Sequence, residues 1–254
     1  MTYATICGLD VIRFLTAEGP ATGRQISEAT GIPRATIYRT VSELVDAGWL
    51  TEEGSPRRYA PSWKVAGLGL EMLVHNQVRE IAMRSLIDLA NETGRPAFLS
   101  FRDGDETVAT DSIEVVGGRT MPATLHSRFP ALITSSGRAM LSLSPRSETE
   151  RLLEKRVPAP IEGAPGMLGY AAYIRDSIEH ARGTGLGVSD GEVSPGWVSM
   201  SAAVLDGSDR SVAALGISMP QPREAAEAEF GDVVRQWARR ASIELGYRAN
   251  RPPG

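Results

Sequence analysis

Residues 21–59 read ATGRQISEATGIPRATIYRTVSELVDAGWLTEEGSPRRY, and this stretch decides the fold of the amino-terminal part of the chain. Thr22 and Gln25 have the spacing of a capping box, which predicts the start of a helix. Gly31 can adopt the left-handed conformation that ends a helix. Pro33 suits the first position of the next helix, because its missing N–H is not needed there. The pattern therefore predicts two short helices joined by a tight turn.

The second of these helices, at 34–48, has two contrasting faces. One face carries an apolar stripe at helical spacing, which predicts burial: Ile37, Val41, Leu44 and Val45. The opposite face is small, polar and basic in its first turns, as expected of a helix that enters the major groove by its amino-terminal end. The candidate DNA contacts on this helix are Arg34, Ala35, Thr36, Tyr38, Arg39 and Ser42.

A basic hairpin follows this helix. Residues 52–59 surround a Gly-Ser-Pro turn, and Arg57 and Arg58 on it are candidate contacts to DNA phosphates. The inward residues predicted for the two preceding helices are Leu9, Ile12, Leu15, Ile26 and Ala29. These features predict a winged helix-turn-helix. The alternative is a small helical domain that packs against something other than DNA.

Composition limits the classes of protein that fit. The 254 residues suffice for two domains, and the net charge is −4. Residues 1–62 hold six arginines against seven acidic residues, so a DNA footprint must depend on where the arginines lie. With Cys7 as the single cysteine and three histidines, we expect no disulfide, metal or cofactor. The chain has no recognisable signal peptide or membrane span, which favours the cytoplasm and no membrane partner.

The stretch from Ala21 to Leu73 resembles the DNA-binding half of IclR-type transcriptional regulators. In that family a Gly-apolar-Pro-basic-small-Thr segment precedes a His/Tyr-Arg pair, and here these are residues 31–36 and Tyr38-Arg39. The resemblance extends from about Ile6 to about Leu245. It implies a regulator, without enzymatic activity, that binds double-stranded operator DNA as a homodimer or a dimer of dimers. Its DNA affinity would be controlled by a small-molecule effector, an organic or aromatic acid.

The second part of the chain predicts an α+β domain with an antiparallel sheet, because strand hairpins are grouped with helices rather than alternating with them. The resemblance implies a sensor domain related to the GAF fold. Predicted helices span 79–92, 135–143, 171–183 and 224–246, and predicted strands span 96–102, 107–115, 120–126, 198–205 and 211–219. The predicted organisation is a DNA-binding domain at 1–61, a linker helix at 62–78, an effector-binding domain at 79–248 and a disordered tail at 249–254.

Two stretches are candidates for the effector pocket, 134–139 and 189–201, since both concentrate hydroxyl groups near an element boundary. The resemblance implies that ligand groups are held by residues matching Ser135, Ser136, Gly137, Ser189, Asp190, Ser199 and Ser218. Gly216 stands where some members have serine, and Ser189 where some have aspartate. Arg128 and Arg138 are further candidates to neutralise a ligand carboxylate.

No catalytic constellation is predicted. His126 and Ser127 with a distant aspartate would suit a hydrolase, but no serine lies in a Gly-x-Ser-x-Gly elbow. An esterase or amidase with a fused helical domain is therefore the alternative to the regulator. A DNA-binding protein that senses no ligand is a third interpretation, and it would leave the second domain without a cavity.

Overall fold

The computed structural model describes residues 3–114, 127–155, 169–220 and 222–248. The chain divides into two compact units, residues 1–76 and 77–254. In the described ranges no helix is both long enough and apolar enough to cross a membrane. The predicted strand at 120–126, the predicted tail at 249–254 and His126 lie outside the described residues.

The first unit is a three-helix core with a two-stranded wing. Its elements are α1 (Tyr3–Glu18), α2 (Gly23–Thr30), α3 (Arg34–Asp46), β1 (Leu50–Glu53), β2 (Arg58–Pro61) and α4 (Trp63–Val74). The strands pair antiparallel, and a bridge between Ala21 and Tyr59 ties the wing to the segment before α2. The winged helix-turn-helix prediction is confirmed.

Two of the three predicted signals around the turn are confirmed, and the third, Pro33, is one residue off. Thr22 Oγ1 accepts a hydrogen bond from the Gln25 amide, and the Thr22 amide donates to Gln25 Oε1 at 2.9 Å. Gly31 ends α2 with φ 72°. Pro33 precedes the first residue of α3 rather than occupying it.

Two of the predicted inward residues are wrong. Leu9 is 59 % exposed, because the buried face of α1 advances in steps of four through Cys7, Val11 and Leu15. Ala29 is also exposed, so Ile26 is the one of the two predicted inward residues of α2 that is buried. In α3 the prediction fits better, since Ile37 and Val41 are buried.

The predicted linker helix at 62–78 is too long. The helix α4 ends at Val74, and a new helix begins at Gln77 after two residues, His75 and Asn76, that belong to neither. No residue of α4 is buried in the chain. Hydrophobic periodicity continues across the break, which is why the sequence did not indicate it.

The second unit is a six-stranded antiparallel sheet flanked by helices, which confirms the α+β prediction. Its helices are α5 (Gln77–Thr93), α6 (Ser135–Leu141), α7 (Arg146–Lys155), α8 (Tyr170–Thr184) and α9 (Arg223–Glu244). Its strands are β3 (Ala97–Asp103), β4 (Glu106–Ile113), β5 (Arg128–Pro130), β6 (Gly187–Asp190), β7 (Val198–Leu205) and β8 (Ser211–Met219), in the order β5-β4-β3-β8-β7-β6.

The two faces of this sheet differ in chemistry. Alternate residues of a strand point to opposite faces. Leu99, Met200 and Ile217 pack with α5 and α9 in the main apolar core. On the other face, small and hydroxyl-bearing side chains meet α6, and α8 packs on α6. This polar face holds the candidate pocket.

Two elements escaped the sequence analysis, β5 and α7, and the bounds of a third, β6, were not predicted. The strand β5 has three residues, including Pro130, and β6 begins in a glycine-rich turn, so neither shows alternation. The helix α7 is strongly polar, and only Leu152 and Leu153 supply apolar contacts. Each is too short or too polar for a periodic signal.

Candidate DNA-contacting surface and ligand pocket

The outer face of α3 is accessible, as a DNA-reading helix requires. Arg34, Ala35, Tyr38, Arg39 and Ser42 are exposed, and Thr36 is half-buried. The Arg39 side chain is 66 % exposed, and its Nε lies 4.0 Å from Glu43 Oε1. Such a long, exposed ion pair contributes little, so the guanidinium can exchange it for a base or phosphate.

Tyr38 packs against α2 at Gly23, where the missing side chain leaves room for the ring. A Cβ at Gly23 would lie 2.8 Å from Tyr38 Cε1, so the ring lies directly over the first turn of α2. The ring is still 51 % exposed. The contact orients Tyr38 while leaving one face free.

The two arginines of the wing differ in their surroundings. Arg57 is exposed, with Nη1 3.5 Å from Glu52 Oε2. Arg58 donates to the carbonyl of Pro20, so it fastens the wing to the segment before α2. The Arg57 side chain, 74 % exposed, is the more available for phosphate.

A pocket opens on the polar face of the sheet in the second unit. Its cavity volume is about 50 Å³, and the space within and in front of it, open to solvent, is about 420 Å³. Its walls come from β3, β4, β5, β6, β7, the start of α6 and the loop after β6. The lining residues are Phe98, Ser100, Thr107, Ala109, Ser127, Phe129, Thr134, Ser135, Ser136, Ser189, Val193 and Ser199.

Four predicted effector residues line this pocket, and three lie beside it. Ser135, Ser136, Ser189 and Ser199 are in the lining. Ser218 is fully buried behind Ser199, and their hydroxyl oxygens are 2.7 Å apart. Asp190 and Gly137 are absent from the lining.

Gly137 has a packing role that explains the residue type. A Cβ there would lie 2.0 Å from the carbonyl oxygen of Ala131, so a larger residue would push the loop before α6 away. The Gly137 amide is already bound, because it donates to Thr134 Oγ1 at 3.0 Å. A ligand that bound the Gly137 amide, as predicted, would therefore compete with Thr134 Oγ1 for it.

The pocket hydroxyls form short chains into the protein. Thr134 Oγ1 lies 3.0 Å from Thr107 Oγ1, and Ser135 Oγ lies 2.8 Å from Ser201 Oγ. Because each hydroxyl can donate and accept, such pairs can reorient toward a ligand. Gly216 makes room for this network, since a Cβ there would lie 2.2 Å from Ser201 Oγ.

Neither predicted arginine is free to neutralise a ligand carboxylate. Arg128 pairs with Asp103 and with Glu106, the latter at 2.8 Å, outside the pocket. Arg138 is fully buried and pairs with Glu192 at 2.5 Å. Burial, followed by the charge of Glu192, raises the pKa of Asp190 above its ordinary value.

Several lining residues were missed by the sequence analysis. Phe98 and Ser100 alternate on β3, and Thr107 and Ala109 alternate on β4, which is a detectable pattern for one sheet face. Nothing in the sequence shows which face meets α6. Glu192 carried no signal, since a lone acidic residue in a loop is ordinarily solvated.

Within the described ranges, no group of three histidine, cysteine, aspartate or glutamate side chains could hold a metal ion. Cys7 is buried. The lining offers hydroxyl groups and aromatic rings, which bind and orient a ligand. A winged helix-turn-helix followed along the chain by a pocketed α+β domain is an architecture typical of transcriptional regulators.

Family comparison identifies the group. Residues 70–243 match the bacterial transcriptional regulator IclR carboxy-terminal family, and residues 11–62 match the sugar-specific transcriptional regulator TrmB family. The chain belongs to the IclR family of bacterial transcriptional regulators. The resemblance drawn from the sequence is confirmed, and the hydrolase alternative has no support among the relatives.

Individual relatives agree along nearly the whole chain. The probable transcriptional regulator SauR of Cupriavidus necator is 24% identical over 234 residues, covering 91% of each chain. The transcriptional repressor AllR of Escherichia coli is 27% identical over 256 residues, covering 96% of this chain and 90% of its own.

Solved structures share the fold. A putative regulator from Rhodococcus sp. RHA1 has a TM-score of 0.79 at 26% identity, over 96% of this chain and 98% of its own. An IclR homolog from Microbacterium hydrocarbonoxydans, complexed with 4-hydroxybenzoate, has a TM-score of 0.79 at 18% identity, over 95% of this chain and 98% of its own.

Proposed function

We propose that the chain is a homodimeric regulator whose affinity for operator DNA is set by a small organic acid bound in the hydroxyl-lined pocket. The pocket carries this proposal, because it combines convergent polar groups with aromatic walls on the face of a sheet. The proposed domains are a DNA-binding domain at 1–61, a linker at 62–76 and an effector-binding domain at 77–248, acting in the cytoplasm; the linker ends where the second unit begins.

The DNA contacts proposed are the accessible face of α3 and the wing. Arg39 is suited to a bidentate contact with guanine, and Tyr38 and Thr36 lie in the same turns. Arg57 is suited to a phosphate contact, which positions the protein without reading sequence. Arg34, Ala35 and Ser42 complete the proposed surface, with Arg58 supporting the wing.

A second copy of the chain is the proposed partner of α4. Trp63, Leu68, Met72 and Val74 on this helix are 57–89 % exposed. Exposed apolar surface of this extent on one element marks an interaction surface. A dimer also presents two reading helices, which a site in a genome requires. A dimer of dimers is the larger assembly that this arrangement allows.

The ligand class follows from the lining. No charged side chain is among the described lining residues, so a ligand carboxylate would be held by hydroxyl donors such as Ser135, Ser136 and Ser199. Phe98 and Phe129 suit an aromatic ring or a flat apolar group. The 4-hydroxybenzoate complex of the Microbacterium relative supports an aromatic acid.

A thermal-shift screen of aromatic and short-chain organic acids tests the pocket. A ligand at about 100 times its Kd adds about 2.7 kcal/mol of apparent stability. For a unit of this size, that raises Tm by about 5–11 °C.

Ala109→Phe, which places a ring in the pocket wall, should abolish the shift, and Ala172→Phe on the exposed surface of α8 should preserve it. An unchanged shift in the Ala109 variant would place the ligand elsewhere.

A further inference from the structure

An ion pair with no exposure to solvent lies directly behind the pocket. The side chains of Arg138 and Glu192 are both 0 % exposed, with Nη2 and Oε1 2.5 Å apart. Arg138 belongs to α6, and Glu192 belongs to the loop between β6 and β7. The two residues are neighbours only because this loop folds back over α6.

Arg138 joins three separate segments of the chain. Its Nε donates to the carbonyl of Leu132 at 2.9 Å, and its Nη1 donates to the carbonyl of Val188 at 2.6 Å. Its third partner is Glu192. One guanidinium therefore fastens the loop before α6, the strand β6 and the loop after β6.

Glu192 extends this fastening to the pocket wall. Its Oε2 accepts hydrogen bonds from Ser189 Oγ at 3.0 Å and from the Asp190 amide. Ser189 and Val193, on either side of Glu192, both line the pocket. On the opposite wall, Ser135 and Ser136 lie in the same helical turns as Arg138. The two walls are thus connected through one buried pair.

Stability alone does not account for such a pair. Removing two charges from water costs about as much as their attraction returns, and apolar residues of similar volume often serve equally well. What an apolar pair cannot do is direct four hydrogen bonds to particular atoms. The geometry points to Arg138 and Glu192 as positioning residues that hold the Ser189–Val193 wall against α6 in a ligand-ready arrangement. The part of this inference that concerns ligand affinity rests on the proposed function.

Glu192→Gln isolates the positioning role, because the side chain keeps its shape. Glu192 Oε2 accepts two hydrogen bonds while Oε1 faces the charge of Arg138, whereas an amide has one acceptor and one donor end. If the amide oxygen faces Arg138, its NH2 faces the donating Ser189 hydroxyl and Asp190 amide. The variant therefore cannot satisfy both sides. Glu179→Gln is the matched control, since Glu179 has the same chemistry in an exposed pair with Arg146.

Hydrogen–deuterium exchange of the 254-residue chain measures how firmly the Ser189–Val193 wall is held, and it needs no ligand. In Glu192→Gln, we expect amide exchange over residues 189–197 to be at least about tenfold faster than in wild type, while exchange in the central strands β7 and β8 is unchanged. Glu179→Gln should match wild type throughout. Wild-type exchange over 189–197 in Glu192→Gln would overturn the inference.

Arg138→Met/Glu192→Met provides a second test that separates position from stability. The apolar pair should melt within about 5 °C of wild type, yet show the same fast exchange over 189–197. If both melting and exchange return to wild-type values, the pair only fills space and the inference is wrong. If the double variant does not fold, the result for Glu192→Gln decides.

Ligand binding distinguishes this inference from the proposed function. Titration with 4-hydroxybenzoate, and with any acid that shifts the wild type, should give a Kd at least about tenfold weaker in Glu192→Gln. Equal affinities beside faster exchange would overturn the ligand part of the inference. If wild type binds no acid while exchange responds as expected, the proposed function fails and the positioning role stands.

Discussion

Gly216→Ala should destabilise the second unit, although alanine usually suits a strand better than glycine. A Cβ at Gly216 would lie 2.2 Å from Ser201 Oγ, 2.6 Å from Phe98 Cζ and 2.7 Å from the carbonyl oxygen of Met200. The Met200 carbonyl is backbone and cannot turn away. The Ser201 hydroxyl is held by Ser135, whose Oγ is 2.8 Å distant. Relief must therefore come from movement of β7 or of the Phe98 ring.

The magnitude follows from two opposed effects. Alanine reduces the entropy of the unfolded chain, which stabilises by about 0.4–1 kcal/mol. Overpacking of a dense interior costs about 1–3 kcal/mol. The backbone of Gly216 has no positive φ, so crowding is the main cost. Three contacts within 2.7 Å place the overpacking cost at about 2–3 kcal/mol, which leaves a net loss of about 1–2.6 kcal/mol. With about 2–4 °C of Tm lost per kcal/mol in a unit of this size, we expect a decrease of about 2–10 °C.

Differential scanning calorimetry of the full chain measures this decrease. Gly183→Ala is the control, because no atom lies within 4 Å of a Cβ at that position in α8. That variant should melt at or slightly above the wild-type temperature, since alanine is favoured in helices. Phe98 also lines the pocket, so Gly216→Ala should weaken ligand binding. A Gly216→Ala protein that melts as high as wild type would refute the reasoning.

Four further variants test the two surfaces and the acid response. Arg39→Ala should weaken binding to a selected operator about 5- to 150-fold in fluorescence anisotropy and relax preference at one base position, as expected for loss of a bidentate base contact. Arg57→Ala should instead weaken binding to all sequences and reduce the salt dependence, because it removes a phosphate contact. Ser199→Ala should weaken acid binding without changing ligand-free operator affinity, because Ser199 lines the pocket. Hydrogen bonds from Arg151, then from Arg102, lower the pKa of Glu148 to about 2. The stabilisation that the ionised Glu148 contributes is therefore complete above pH about 4.5 and is lost as pH falls toward 2. In urea unfolding, Glu148→Gln should lose less of its free energy of unfolding between about pH 5 and pH 3 than wild type.

A distinct result would contradict each of the predictions for Arg39, Ser199 and Glu148. Arg13 on α1 is exposed and serves as the control for Arg39, and equal operator affinities of the two alanine variants would exclude Arg39 from the interface. A Ser199→Ala protein that binds acid with wild-type affinity would remove Ser199 from the site. An identical acid profile for Glu148→Gln would show that Glu148 titrates at its ordinary pKa in the folded protein.

Much of the structure of the first unit could be predicted from the sequence, because the signals that specify it are local. The capping pair Thr22 and Gln25, the left-handed Gly31 and the two faces of α3 were all predictable, because caps and helical periodicity involve residues within a few positions of one another. The limits of β7 and β8 were predicted correctly for the same reason, since a turn at 206–210 separates two apolar runs. Leu9 was wrongly placed in the core because the set Leu9, Ile12 and Leu15 and the set Cys7, Val11 and Leu15 both have helical spacing. The helix break at Asn76 was missed because hydrophobic periodicity continues across it.

Only the tertiary structure decided the composition of the pocket and the state of its charges. Phe98 and Ser199 meet because β8 lies between β3 and β7 in the sheet. The pairing of Phe98 with Gly216 closes more than a hundred residues of intervening chain. Arg138 and Glu192 are ordinary charged residues in the sequence, and burial turns them into partners. Local patterns specify which faces are apolar or polar, whereas the pairing of faces depends on the summed packing energy of distant segments, which no single stretch of sequence contains.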